Sequence, residues 1–204
     1  MSDAGKGIEA QTTLNLLTDI ERAEFSSQRS FATKFGVALG LTNAYVRRCL
    51  NKGWIKMRRV PARRYAYYLT PRGFKEKSRL VGEYLADSLE FFRRARAEYV
   101  EAFLECEARG WTRIALYGHG ELVEIATLAA QETEVDLVVV IAPGVNTDEF
   151  AGLPVVSDPA TVGEIDAVLI AESGDPQAAF DSLLKTALAD RVVTPSFLHV
   201  TTGN

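Results

Sequence analysis

The spacing of apolar positions changes period twice along the chain. Leu14, Leu16, Leu17 and Ile20 recur at helical spacing, with Thr12 or Thr13 as a candidate N-cap. Residues 1–11 are polar and Gly-containing and read as a flexible tail. Ser26-Ser27-Gln28 opens a short helix carrying Phe31, Ala32 and Phe35, and Gly36 stops it. A third helix is predicted over 39–52, with Thr42, Val46, Cys49 and Leu50 on its inner stripe and Gly53 at its end. Past Gly53 the period falls to two. Residues 54–60 and 65–70 read as strands around a Pro61-Ala62-Arg63 turn. Thr70-Pro71 then has the form of a helix N-cap and first-turn proline.

Helical spacing returns for almost forty residues, 71–109, in Leu80, Val81, Tyr84, Leu85, Leu89, Phe92, Tyr99, Phe103 and Leu104, with Gly82 as a candidate bend. Two readings stay open for this helix: a dimerisation element, or a helix packed on the chain's own domains. After Gly110, apolar runs at 113–117, 135–141, 153–156, 167–170 and 191–193 alternate with helices at 121–131 and 176–188. Such alternation predicts a parallel sheet with helices on both faces. The expected fold class is α/β overall, built from a flexible tail (1–11), a winged helix (12–70), a long linker helix (71–109) and a small Rossmann-like domain (110–204).

Charge sharpens this division. The chain's formal net charge is −4, yet residues 28–79 hold fourteen Lys or Arg against one acid, Glu76. Residues 80–204 hold seven basic and twenty-one acidic residues. Sign asymmetry of this kind suggests that one part meets a polyanion. The N-terminus does not look like a signal peptide, and no apolar run is long enough to span a bilayer. Cys49 and Cys106 lack any C-x-x-C or Cys/His spacing, so free thiols in a reducing cytoplasm are expected and no metal site is.

The stretches SQRSFATKFGVALGLTNAYVRRCLNKGWIK and RRYAYYLTPRGFKEKSRL carry two motifs, L-x-K-G-W-I and Y-x-L-T-P-x-G. Over about residues 12–100 the chain resembles winged-helix regulators of the MarR type, more closely those linked to exopolysaccharide gene clusters. Many members have Ser where Ala38 stands here. The resemblance implies a regulator of transcription that binds double-stranded DNA. The second helix of a helix-turn-helix enters the major groove. That assigns Gly40, Leu41, Asn43, Ala44, Arg47 and Arg48 to the DNA side, with Gln28 and Arg29 at the start of the preceding helix. Asn43 could read adenine and Arg47 guanine, and Arg47 and Arg48 could equally hold phosphates. In the hairpin, Lys56, Arg58, Arg59, Arg63 and Arg64 are the expected backbone or minor-groove contacts. The tyrosines Tyr65, Tyr67 and Tyr68 read as hairpin packing.

In the second domain Gly118-His119-Gly120-Glu121 follows a strand and opens a helix, which is the context of a pyrophosphate-binding turn. The match is partial. Val123 stands at the third glycine, no acid ends the second strand, and Glu121 brings negative charge to the turn. The order of domains resembles Rex-type redox repressors, which pair a winged helix with a nicotinamide-sensing Rossmann domain. That resemblance implies Gly118, His119, Gly120 and Glu121 as ligand-binding residues. The missing acid disfavours NAD, so the cofactor stays open, and a nucleotide-like ligand is weighed against a role in assembly. Catalysis finds no Ser/His/Asp or Cys/His constellation around His119 or His199. Asp158, Asp166, Glu172 and Asp175 read as caps and loop solvation. The expected partners are double-stranded DNA and a second copy of the chain. The alternative from another class is a nucleotide- or sugar-nucleotide-dependent enzyme with an appended interaction domain.

Overall fold

The computed structural model describes residues 3–22, 27–60 and 64–202, so the expected turn at 61–63 lies outside the described residues. The chain is mixed α/β and divides into two compact units, residues 1–88 and 89–204. Among the described residues no helix is long and apolar enough to cross a membrane.

The first unit begins with α1 (Asp3–Glu21), so the expected tail over 1–11 is corrected: its residues from Asp3 onward are helical. Thr12 and Thr13 are not caps but interior residues. Their hydroxyls donate to the carbonyls of Ile8 and Glu9, both at 2.8 Å, and their side chains are buried. Back-bonding one turn upstream satisfies these polar groups without ending the helix, which is why they mislead as start signals.

Next come α2 (Gln28–Lys34) and α3 (Leu39–Asn51). Ser27 caps α2 by a reciprocal pair of bonds with Ser30. Helix α3 begins without a side-chain cap at Ala38 and ends at Gly53, whose φ of +71° suits glycine. The antiparallel hairpin of β1 (Ile55–Val60) and β2 (Arg64–Leu69) follows in the register Ile55–Leu69, Met57–Tyr67 and Arg59–Tyr65. The core joins Leu16, Leu17 and Ile20 of α1 to Phe31, Tyr45, Val46, Cys49, Ile55 and Leu80. Helix α4 (Pro71–Ala108) is a single α-helix with no interruption at Gly82.

In the second unit a six-stranded sheet has the order β5-β6-β4-β3-β7-β8. Its strands are β3 (Arg113–Tyr117), β4 (Asp136–Ile141), β5 (Glu149–Phe150), β6 (Leu153–Val156), β7 (Ala167–Ile170) and β8 (Val192–Val193). All pairs are parallel except β5 with β6, an edge pair the apolar pattern does not predict because β5 has only two residues. The chain starts at β3, moves outward through β4 to β6, then returns to the other side of β3 with β7 and β8. Alternation along the strands splits the core in two. Ile114, Leu116, Val140 and Leu169 face Ala95, Tyr99, Phe103 and Cys106 of α4 and the apolar side of α5 (Glu121–Ala130). Ala115, Tyr117, Ile141, Val168 and Ile170 face Phe180 and Leu183 of α6 (Pro176–Leu183). Helix α6 stops five residues short of the predicted 188, and a 3-10 turn at Ala189–Arg191 leads into β8.

Candidate nucleic-acid interface and glycine turn

Helix α3 has one buried side and one open side. Thr42, Tyr45, Val46 and Cys49 are buried, and Leu50 is only half-buried. Tyr45 is missing from the sequence-derived stripe although its spacing of three from Thr42 and four from Cys49 would have placed it there. Gly40, Leu41, Ala44, Arg47 and Arg48 are exposed and Asn43 is half-buried. At the start of α2, Gln28 is half-buried and Arg29 exposed.

The hairpin alternates in the same way. Ile55, Tyr67 and Leu69 belong to the core side, while Lys56, Arg58 and Tyr68 share the opposite face. Arg59 pairs with Tyr65 beyond the core, both exposed. Arg64 opens β2 opposite Val60, and Arg63 lies outside the described residues.

Two separate motifs of the sequence meet at the base of this hairpin. The Thr70 hydroxyl donates toward the Gly53 carbonyl at 2.7 Å, with the Trp54 carbonyl at 3.0 Å, and accepts the Gly73 N–H at 3.0 Å. The end of α3, the end of β2 and the first turn of α4 are therefore pinned to one buried hydroxyl.

The cations of the first unit fall into two groups. Lys34 pairs with Asp19 at 2.8 Å, Arg48 with Glu9 of α1, Lys77 with Glu21, and Arg79 with Glu76 and Glu83. Arg29, Arg47, Lys56, Arg58 and Arg59 make no ion pair with any described residue. Uncompensated charge thus sits on the start of α2, the open side of α3 and β1, and also at Lys52, Arg72 and Lys75. Arg48 differs from its neighbour Arg47 because an acid of α1 already holds its guanidinium.

In the second unit Gly118 ends β3 with a φ of +141°, and a Cβ there would meet the Ala171 carbonyl oxygen at 2.4 Å. The first glycine of the turn is thus demanded by packing against the end of β7. Gly120, with φ +91°, precedes α5 and has open space where a Cβ would be. His119 is exposed with its ring 4.5 Å from that of Phe150, and Glu121 is exposed in a first turn that also carries Glu124. Two carboxylates at this helix start oppose a phosphate. The four other acids at strand ends serve the backbone. Asp175 accepts from Ala178 N–H, Asp158 from Ala160, Glu172 from Gly174, and Asp166 from both Thr112 and Arg113.

Comparison with family models, curated proteins and solved structures yields no match for this chain.

Proposed function

We propose that the chain is a double-stranded-DNA-binding regulator acting in the cytoplasm, its first unit a winged helix and its second a small Rossmann-like domain. The observation that carries this is the uncompensated charge of Arg47, Lys56, Arg58 and Arg59 on the open sides of α3 and β1, while Lys34, Arg48, Lys77 and Arg79 are paired internally. A helix with Asn43, Ala44 and Arg47 outward fits the major groove, and a cationic hairpin beside it fits the flanking backbone. The strand order β6-β4-β3-β7-β8, reversing between β3 and β7, supports the Rossmann-like reading. That domain's role is assembly or the sensing of a small ligand. Gly118 is accounted for by Ala171, so the glycine turn lends little to a nucleotide-dependent enzyme.

The test is fluorescence anisotropy on a duplex selected from random sequence. Replacing Arg58, Arg59, Arg63 and Arg64 with Ala should weaken binding and flatten its salt dependence, by about 0.9 in slope for each phosphate no longer neutralised. Unchanged affinity and slope would remove the hairpin from the interface.

A further inference from the structure

A depression of about 670 Å³ opens beside Trp54, lined by Lys52, Arg72, Lys75 and Ser78 together with the Glu76–Arg79 ion pair. Its wall on α4 is one helical face, because Arg72, Lys75, Glu76 and Arg79 recur at i, i+3, i+4 and i+7. Its only acid is already engaged: Glu76 holds Arg79 at 2.6 Å, and Glu83 holds it from the next turn. Lys52, Arg72 and Lys75 make no ion pair with any described residue. The depression therefore presents three uncompensated positive charges around a half-buried indole.

The backbone that carries the indole is held in place. The Trp54 carbonyl accepts the Thr70 N–H at 3.0 Å, and the close approach of Gly73 fixes the same peptide. The indole N–H has no hydrogen-bond partner among the described residues. Lys52 caps the end of α3 one turn after Arg48, at the edge of the open side assigned to DNA. The depression extends from that edge onto the face of α4. Its volume is in the range of small-molecule sites.

We propose that this depression binds a nucleotide, its base stacked on Trp54 and its phosphates held by Lys52, Arg72 and Lys75. Arg72 offers a planar fork to phosphate oxygens, and the two lysines add point charges. A nucleoside diphosphate, at about −3 near neutral pH, matches the three free cations. The site is separate from the glycine turn of the second unit and does not depend on the DNA reading.

The test is isothermal titration of the full chain with ADP, without DNA, beside titrations with adenosine, inorganic pyrophosphate and a short random-sequence duplex. ADP should bind at least about tenfold more tightly than adenosine or pyrophosphate. Lys52→Ala/Arg72→Ala/Lys75→Ala should weaken it about tenfold or more, and Arg58→Ala/Arg59→Ala on the hairpin should leave it unchanged. Lys75→Glu, a single surface change, should weaken ADP more than Lys75→Ala does and guards against misfolding of the triple variant. No heat with ADP, or pyrophosphate binding as tightly as ADP, overturns the proposal. So does equal loss in the hairpin variant, which would mean diffuse attraction of anions. Loss of duplex binding in the triple variant without ADP selectivity would assign the depression to nucleic acid and overturn it too.

Discussion

Gly73 packs so closely on Trp54 that a Cβ at position 73 would lie 2.0 Å from the Trp54 carbonyl oxygen. That oxygen also accepts the Thr70 N–H, so it cannot withdraw without breaking the base of the hairpin. Gly73→Ala should therefore destabilise the first unit by about 3 kcal/mol, the upper range of overpacking changes. Urea unfolding followed by Trp54 fluorescence in a Trp111→Phe background reports on that unit, since these are the chain's two tryptophans. A midpoint equal to that of the parent would mean that the peptide yields freely.

Arg47 and Arg48 are neighbours in sequence but not in electrostatic state. Glu9 neutralises Arg48, and Arg47 has no acid beside it among the described residues. If α3 meets DNA, Arg47→Ala should cost about tenfold in affinity or more, and Arg48→Ala only a fewfold. Glu9→Gln should then raise the share carried by Arg48 and steepen the salt dependence. Equal effects of the two arginine changes, measured by anisotropy, would dismiss the ion pair as a determinant.

Much of this architecture is legible in the spacing of apolar residues, and the failures have physical causes. Helix α3, the hairpin and β3, β4, β6 and β7 announce themselves through period and glycine stops such as Gly53. The first turns of α1 escape detection because Thr12 and Thr13 resemble caps, and only tertiary burial makes them interior. Strand β5 is too short to show a period. At the site, the open side of α3 can be read by subtraction from its buried stripe, even with Tyr45 overlooked. Internal pairing cannot, because Glu9 and Arg48 lie 39 positions apart in the sequence. The cluster around Trp54 does carry a local signal, the i, i+3, i+4, i+7 spacing of Arg72, Lys75, Glu76 and Arg79. The overall charge of the region masks it.

The stretch of α4 over residues 81–90 is exposed throughout, although it carries Val81, Tyr84, Leu85 and Leu89 at helical spacing. Tyr84, Leu85 and Leu89 are each more than half exposed, at 52%, 53% and 52%. A second copy of the chain would cover such a stripe and fits a regulator that binds paired half-sites. Leu85→Glu/Leu89→Glu should shift the chain to monomer in sedimentation equilibrium, with its helix content retained. A parent chain that sediments as a monomer at tens of micromolar would overturn the expected second copy of the chain as a partner.

The two thiols offer a separate report from each unit. Cys49 lies in the first core and Cys106 in the second. Burial pushes the Cys49 thiol up to about 12 and that of Cys106 up to about 11, against partial lowering by Arg48 and Arg109 respectively. The thiolate is the reactive form, so neither should react with a disulfide reagent at pH 8 in the folded chain. As urea is raised, labelling of each cysteine should track the unfolding of its own unit, read by mass spectrometry of the peptides. Rapid labelling of either in native buffer would contradict its burial.

Asp166 joins the starts of β3 and β7. One carboxylate oxygen accepts the Arg113 N–H at 2.8 Å and the Thr112 N–H at 2.9 Å. These bonds, that from Arg113 first, favour the charged form and hold the carboxyl below its ordinary value of 3.8. A carboxyl depressed in the folded state contributes stability that is full above 3.8 and is lost as pH falls through the lower folded value. Asp166→Asn keeps an acceptor oxygen and loses the titration. It should lower neutral-pH stability by the part the charge contributes and flatten the decline of stability in the acid range. Asp166→Ala should lower stability at neutral pH as well, because both N–H groups lose their partner. Thermal unfolding of the three proteins from pH 2 to 7 separates these effects, and parallel acid declines in the parent and Asp166→Asn would show that Asp166 is not the titrating group.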